Sequence, residues 1–236
     1  MKKYLACAVV SGALATAALS APAASALTLE INPDFGSSND PATGATALLD
    51  LQFSQQMNDV LLSIGITNTT NGTVADGADA ATLVGVSLDF IDGITSFTYN
   101  QLNDPNAVFP TQFVPAELQP FGSFDIGIRS SGNGTFNGGN PQGGLLAQES
   151  TSVSFTLQTM LTASTVESLF TAGYTSGDLR AAGRFQQVEG ATFTSDKVLA
   201  GVQPVPTPGA VLPALFGIAT AAVRKKKAGK ATSVEI

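Results

Sequence analysis

The chain has 236 residues, of which only 12% are charged, and a formal net charge of −7. It contains no histidine and a single cysteine, Cys7. This composition excludes a Ser-His-Asp triad, a Cys-His nucleophile pair and histidine metal sites. It also excludes an internal disulfide bond.

The charge is unevenly distributed along the chain. Residues 27–203 carry 17 acidic residues and four basic residues, Arg129, Arg180, Arg184 and Lys197, a net charge of −13. A segment this acidic has no basic stripe with which to displace counterions, so we expect no nucleic-acid partner. The acidity has two explanations. It keeps the protein soluble, or, as a more specific hypothesis, it provides weak binding of divalent cations.

The N-terminus has the three parts of a secretory signal peptide. Lys2 and Lys3 precede an apolar run at residues 5–19, and Ala24-Ser25-Ala26 provides the small residues of a cleavage site. We predict a signal helix over residues 1–26 and cleavage by signal peptidase between Ala26 and Leu27. The alternative is an uncleaved membrane anchor.

Residues 27–203 predict a β-rich ectodomain, because apolar and polar residues alternate with a period of two. The clearest runs are Val84 to Phe90, Leu62 to Ile66, Phe124 to Ile128 and Val153 to Leu157, each with one face expected to be buried. Weaker runs occur at 27–31, 47–53, 95–99 and 184–188. We predict an antiparallel β-sandwich, jelly-roll or immunoglobulin-like, with about seven to nine strands.

Turn and helix signals fit between these runs. Asn71-Gly72, Asp76-Gly77 and Asp92-Gly93 are pairs that tolerate positive φ. One short helix is predicted at residues 165–172, with Ser164 as its cap. Asn-x-Thr triplets at Asn68, Asn71 and Asn133 predict exposed loops, and residues 131–144 form a glycine- and asparagine-rich loop.

The C-terminus predicts a membrane-sorting tail over residues 204–230, followed by a short end at 231–236. Prolines at 204, 206 and 208 stiffen the chain, and residues 209–223 are apolar and uncharged. The basic cluster Arg224-Lys225-Lys226-Lys227 follows, which is the order expected when the basic end stays on the cytoplasmic side. We predict a short transmembrane helix here, which is only marginally long enough to span a bilayer.

The motif Val205-Pro206-Thr207-Pro208, the apolar helix and the basic cluster together resemble the PEP-CTERM class of sorting signals. Thr207 departs from the commonest form, where glutamate is expected, and the tail is similar to the Pro-Thr-Pro variant of cyanobacteria. The resemblance implies an exosortase-type membrane protease as a partner and delivery to the cell surface. The ectodomain is also similar to passenger domains of this family, in Val153-Ser154-Phe155-Thr156-Leu157 and Ser195-Asp196-Lys197-Val198.

Carboxylates are the remaining candidates for chemistry. Asp76 and Asp79 lie in one predicted turn, and Asp89 and Asp92 lie at one predicted strand end, where carboxylate oxygens suit calcium. Neither pair follows the EF-hand spacing. We interpret all four as solvated turn residues and predict no required cofactor, with calcium as the exception to test.

We therefore expect an exported, non-enzymatic protein of the cell surface or extracellular matrix, with a structural or adhesive role. The C-terminal helix would hold it at the inner membrane transiently or permanently. Two alternatives stay open. One is a calcium- or carbohydrate-binding module of the surface polysaccharide layer, and the other is a carboxylate-dependent hydrolase.

Overall fold

The computed structural model describes residues 27–100 and 107–203. Leu27 is the only described residue of the predicted cleavage site. The other residues of that site, the signal helix, the proline motif, the C-terminal helix and the basic cluster lie outside the described residues. Within the described ranges, no helix combines the length and the apolar composition that a membrane crossing requires.

The described residues form twelve strands and one α-helix. In chain order these are β1 (Leu27–Ile31), β2 (Ala47–Gln56), β3 (Asp59–Asn68), β4 (Ala80–Leu88), β5 (Ile94–Tyr99), β6 (Thr111–Phe113), β7 (Ala116–Glu117), β8 (Ser123–Phe124), β9 (Ile126–Arg129), β10 (Ser150–Thr159), α1 (Ala163–Ser176), β11 (Ala181–Glu189) and β12 (Ser195–Val202). The prediction of a mainly antiparallel β fold with one helix is confirmed.

Ten of these strands form one antiparallel sheet that is nearly closed, like a barrel. Its order is β5-β10-β3-β2-β1-β12-β11-β4-β9-β6, and β7 and β8 pair separately. Residues 195–199 of β12 pair with β11, and residues 200–202 pair with β1. Strand β12 therefore joins the two halves of the sheet. At the open side, Tyr99 in edge strand β5 donates a hydrogen bond to the Phe109 carbonyl, 2.8 Å away and shortly before edge strand β6.

The main core lies inside this sheet. Alternating residues of β2, β3 and β10 point inward, as the period-two pattern predicted. Helix α1 closes one end of the core with Val166, Phe170 and Tyr174. The Phe170 ring lies 5.0 Å from that of Phe53 and 5.9 Å from that of Phe90, and such tilted aromatic contacts add to the stabilisation from burial.

The predicted burial pattern is wrong for β4 and β9, which are buried on both faces. In β4 the register slips, so that Leu83 pairs with Phe185 and Gly85 with Arg184, which leaves Val84 as the extra residue of a bulge. Val84 therefore does not share the inner face with Val86 and Leu88. A break at Asp125 similarly puts Phe124 in a second apolar cluster, on the outer face.

The helix is longer than predicted and begins earlier. It spans Ala163–Ser176, and the residue that caps it is Thr162, whose hydroxyl accepts a hydrogen bond from the Thr165 amide. The predicted cap, Ser164, lies inside the first turn. The helix ends at Gly177, whose φ of 82° is a left-handed conformation that glycine adopts without strain.

Candidate functional site

Three of the four basic residues of residues 27–203 form a row across the outer face of the sheet. Strand register pairs Arg129 with Gly85, Gly85 with Arg184, and Arg184 with Lys197. The row therefore runs from β9 through β4 and β11 to β12. Strands are about 4.8 Å apart, so these cations are near neighbours although they are distant in sequence.

Arg129 is fully buried in this row. Its guanidinium donates hydrogen bonds to the carbonyls of Thr135 and Gly132, and it lies 4.7 Å from the centre of the Phe113 ring. Burial lowers the pKa of Arg129, because desolvation disfavours the charged form. Carbonyl dipoles and the aromatic face partly replace the water that this cation loses.

The glycine-rich loop, residues 131–144, lies over the cationic row and is held there by hydrogen bonds. Ser130 Oγ donates to the Asn140 carbonyl, and the Asn140 amide donates back to the same hydroxyl. The Phe136 ring fills the space above Gly85 and Gly127, where a Cβ on Gly127 would come within 2.6 Å of it. This loop is the physical reason why β4 and β9 are buried on both faces.

A pocket of about 380 Å³ opens beyond the edge of the loop, and we call it the basic pocket. Arg184 and Lys197 lie side by side in it, and both are half-buried. Arg184 Nε donates to the Gly138 carbonyl at 3.0 Å. The remaining walls are polar or small: Ser38, Asn39, Gln119, Pro120, Ser195 and Asp196.

The two cations of the basic pocket affect each other electrostatically. The pKa of Arg184 is lowered by burial and then by Arg129. Burial also lowers the pKa of Lys197, with a further contribution from Arg184, while Asp196 acts in the opposite direction. The described part of the chain contains one salt bridge, and neither cation of the pocket takes part in it.

Asp196 is the carboxylate nearest to Lys197 in sequence, and it lies almost fully buried at the wall of the basic pocket. Its oxygens accept hydrogen bonds from the hydroxyls of Ser37, Ser38 and Thr43, at 2.8 to 3.0 Å. The backbone amides of Thr43 and Lys197 also donate to it. Asp196 thus fixes the 37–43 segment onto β12, which supplies one wall of the basic pocket.

The predicted pair Asp76 and Asp79 does not form a shared ligand set. Asp76 accepts a hydrogen bond of 2.6 Å from the Thr192 amide, which is the main reason that its pKa is lowered. Asp79 instead lies against Gly190 and Gly72. If either glycine carried a Cβ atom, a carboxylate oxygen of Asp79 would be the atom nearest to it. Both residues tie the β3–β4 connection to neighbouring turns.

The predicted pair Asp89 and Asp92 lies in a second pocket, of about 450 Å³, which we call the acidic pocket. Asp125 and Asp178 line it as well, and the sequence patterns had not marked either of them. Arg180 lies among these carboxylates, with its Nε 3.0 Å from Asp89 Oδ2. Asp125 accepts a hydrogen bond of 2.7 Å from the Phe90 amide.

Arg180 has a structural role in the acidic pocket. It donates to the carbonyls of Phe121 and Ser123, at 2.8 and 2.6 Å, and stacks 4.7 Å from the centre of the Phe124 ring. These contacts connect the β7–β8 hairpin to the end of β4. Within residues 27–100 and 107–203, no three His, Cys, Asp or Glu side chains are grouped so that they could hold a metal ion.

Sequence patterns identified the carboxylates but missed the cationic row. Arg129, Arg184 and Lys197 are separated by 55 and 13 residues along the chain, so no local motif links them. Only strand register brings them into one line. Comparisons with protein-family models, with curated proteins and with solved structures found no match for this chain.

Proposed function

We propose that the chain is an exported protein of the cell surface or extracellular matrix, with a non-enzymatic, structural or adhesive role. The observation that carries this proposal is the position of the folded domain between the two expected sorting signals. Strand β1 begins at Leu27, directly after the expected cleavage point, and β12 ends at Val202, shortly before the proline motif.

The arrangement of the domain ends supports the same proposal. Leu27 is only 5% exposed and pairs with Leu51 in the middle of the sheet. The Gln203 amide donates to the Thr28 carbonyl at 3.2 Å, so both ends of the domain lie side by side. A cleaved leader before residue 27 and a sorting tail after residue 203 are compatible with this packing.

The carboxylates support a non-enzymatic role. Asp76, Asp89 and Asp125 each accept hydrogen bonds from the backbone amides of other segments. Through these hydrogen bonds the carboxylates hold loops in place, which is a structural role. We also propose that the two halves of the sheet, which share one apolar core, correspond to the layers of a jelly-roll or immunoglobulin-like sandwich.

The test is intact-mass measurement with mapping of both terminal peptides, on protein recovered from the cell surface and from the medium of the native host. We expect a chain that starts at Leu27 and ends near residues 206–208, after processing by signal peptidase and an exosortase-type protease. A chain that still carries residues 209–236 would overturn the processing proposal. A chain that still carries residues 1–26 would overturn leader cleavage.

A second candidate function is a carbohydrate-binding module of the surface polysaccharide layer. The basic pocket favours it, because a domain with a net charge of −13 places two of its four cations side by side in one opening. Amide and hydroxyl side chains surround these cations. Such groups pair well with the hydroxyl groups of a sugar.

A further inference from the structure

The pairing of Arg184 with Lys197 is unfavourable in the protein alone. Like charges that lie directly opposite each other on antiparallel strands destabilise a sheet. Arg129 adds a third positive charge in the same row, one strand beyond Gly85. An acidic residue opposite either cation would have stabilised the sheet, and the domain is rich in acidic residues. The positive charge on β11 and β12 is therefore concentrated at a place where it does not stabilise the fold.

The protein groups nearest to these cations neutralise them only in part, through the attraction between Lys197 and the buried carboxylate of Asp196. The described contacts of Arg184 include the Gly138 carbonyl, and those of Arg129 are carbonyls and an aromatic ring. Asp196 lies at the wall of the basic pocket, but it is 1% exposed and its oxygens are occupied by hydroxyl and amide donors, including the hydroxyl of Ser38. An oxyanion that enters the basic pocket would therefore meet two cations at its floor.

The walls of the basic pocket indicate what carries the oxyanion. Gln119 is exposed in the turn between β7 and β8. Asn39 lines the same opening, and its side-chain amide donates a hydrogen bond to the Ser195 carbonyl at 2.7 Å, which leaves its amide oxygen as an acceptor. Together with Ser38 and Ser195 they offer amide and hydroxyl groups as donors and acceptors. A volume of about 380 Å³ exceeds that of a simple inorganic ion and falls in the range of small-molecule sites.

We propose that the basic pocket binds an acidic saccharide, with a carboxylate of the sugar held between Arg184 and Lys197 and its hydroxyl groups held by Gln119, Asn39 and the serines. The inference deepens the second candidate function. It does not depend on how the protein is sorted, because binding is measured on the purified protein and sorting is measured by terminal mapping. A negative result for saccharide binding therefore does not affect the proposal on sorting, and a negative result for sorting does not affect the proposal on binding.

The test is calorimetric titration at pH 7 and low ionic strength with three probes. These are an oligogalacturonate, a neutral oligosaccharide of equal length, and inorganic sulfate. We expect the oligogalacturonate alone to bind well, and K197Q to weaken its binding about tenfold, since a hydrogen bond to a charged group is lost. K197R, which keeps the charge, should retain most of the affinity.

The matched control is Q52E, which also lowers the net charge by one. Gln52 is exposed on β2 and does not line the basic pocket, so its affinity should equal that of the wild type. If K197Q fails to fold, nuclear magnetic resonance on the wild type replaces it. Oligogalacturonate should then shift the Arg184 Nε–H signal and leave that of Arg180 unchanged.

Three results would overturn the proposal. Equal binding of the neutral oligosaccharide would remove the role of the charge. Sulfate binding as tight as that of the oligogalacturonate would show a site for any oxyanion and not for a saccharide. Affinity unchanged in K197Q, or an Arg180 signal that shifts in place of Arg184, would put binding elsewhere on the molecule.

Discussion

At the scale of single residues, the buried cation Arg129 determines how the glycine-rich loop lies on the sheet. Its guanidinium reaches the carbonyls of Thr135 and Gly132 at two points of the loop. A planar group with five donors suits this geometry, and a lysine ammonium on a flexible stem cannot reproduce it. The residue is therefore structural, although an arginine in an acidic domain first suggests a binding role.

Replacement of Arg129 by methionine should destabilise the protein by about 2–3 kcal/mol, because two carbonyls lose a charged donor. Arg129→Lys should restore only part of this stability. The free energy of unfolding from urea denaturation measures both effects. Equal stability of the wild type and Arg129→Met would mean that Phe136 and Ser130 hold the loop without the arginine.

Tyr174 is a second residue whose environment predicts a measurable behaviour. Its hydroxyl donates to the Asp89 carbonyl at 3.0 Å, and its pKa is raised well above the usual value by burial, then by Asp89 and Asp125. The folded protein thus favours the neutral phenol. Its contribution to stability is complete below the unfolded-state pKa, about 10, and is lost as the pH rises through the folded-state value.

We therefore expect stability to fall more steeply above about pH 10 in the wild type than in Tyr174→Phe. At neutral pH the variant should be less stable by about 1 kcal/mol, because one hydrogen bond is lost. The free energy of unfolding of the two proteins is measured by denaturation at several pH values from 7 to 11. Because other titrating groups are the same in both proteins, their effect cancels in the difference between the two free energies. Parallel pH profiles would contradict the assignment to Tyr174.

Asn68 shows why residue-level predictions from sequence have limits here. It begins an Asn-x-Thr triplet, and the prediction that all three triplets mark exposed loops is wrong for this one. Asn68 is fully buried, and its amide donates to the carbonyls of Ala81 and Leu145 at 2.8 and 2.9 Å. Asn71 and Asn133 are exposed as predicted. A triplet carries no information about which chain segments come from elsewhere to cover it.

At the scale of elements, the period-two pattern predicted strands well and predicted their buried faces less well. Strands β1 and β3 follow the pattern because one side meets the core and the other is more open. Strands β4 and β9 depart from it because the glycine-rich loop covers their outer side. Short strands such as β6 and β7 were missed, since two or three residues cannot display a period.

The start of α1 gives a test with a built-in control. Thr162 is the observed cap, whereas Ser164 was the predicted one. Thr162→Ala should cost about 1 kcal/mol of stability, because the Thr165 amide loses its acceptor. Ser164→Ala should change stability by much less. Thermal or urea denaturation of the two variants decides between the caps, and a larger loss in Ser164→Ala would reverse the assignment.

At the scale of the whole molecule, composition and the period-two pattern predicted a mainly antiparallel β fold, and the described residues have one. The basic pocket could not be predicted, because it depends on register between strands that lie far apart in sequence. The same is true of β12, which lacks a clear alternation yet occupies the middle of the sheet. The pairing of strands that are distant in sequence is the feature of this fold that a single sequence predicts least well.

The central position of β12 predicts the effect of truncation. A chain that ends at residue 194 lacks the strand between β1 and β11, so it should lose cooperative unfolding. A chain that ends at residue 203 keeps every sheet strand and should unfold in one transition like the full chain. Circular dichroism during heating distinguishes these results. A cooperative transition in the shorter chain would show that β1 and β11 can pair without β12.

The position of β12 also sets an order of events in time. As the chain emerges from its N-terminus, the group β1, β2, β3, β10 and β5 is complete once residue 159 has appeared, and the separate group β11, β4, β9 and β6 is complete once residue 189 has appeared. Neither group has its final neighbour until residues 195–202 arrive, near the end of the domain. If the chain is exported as proposed, the sheet is completed only after nearly all of the domain has crossed the membrane. Partial molecules would then present two unpaired strand edges, which are templates for pairing with another chain.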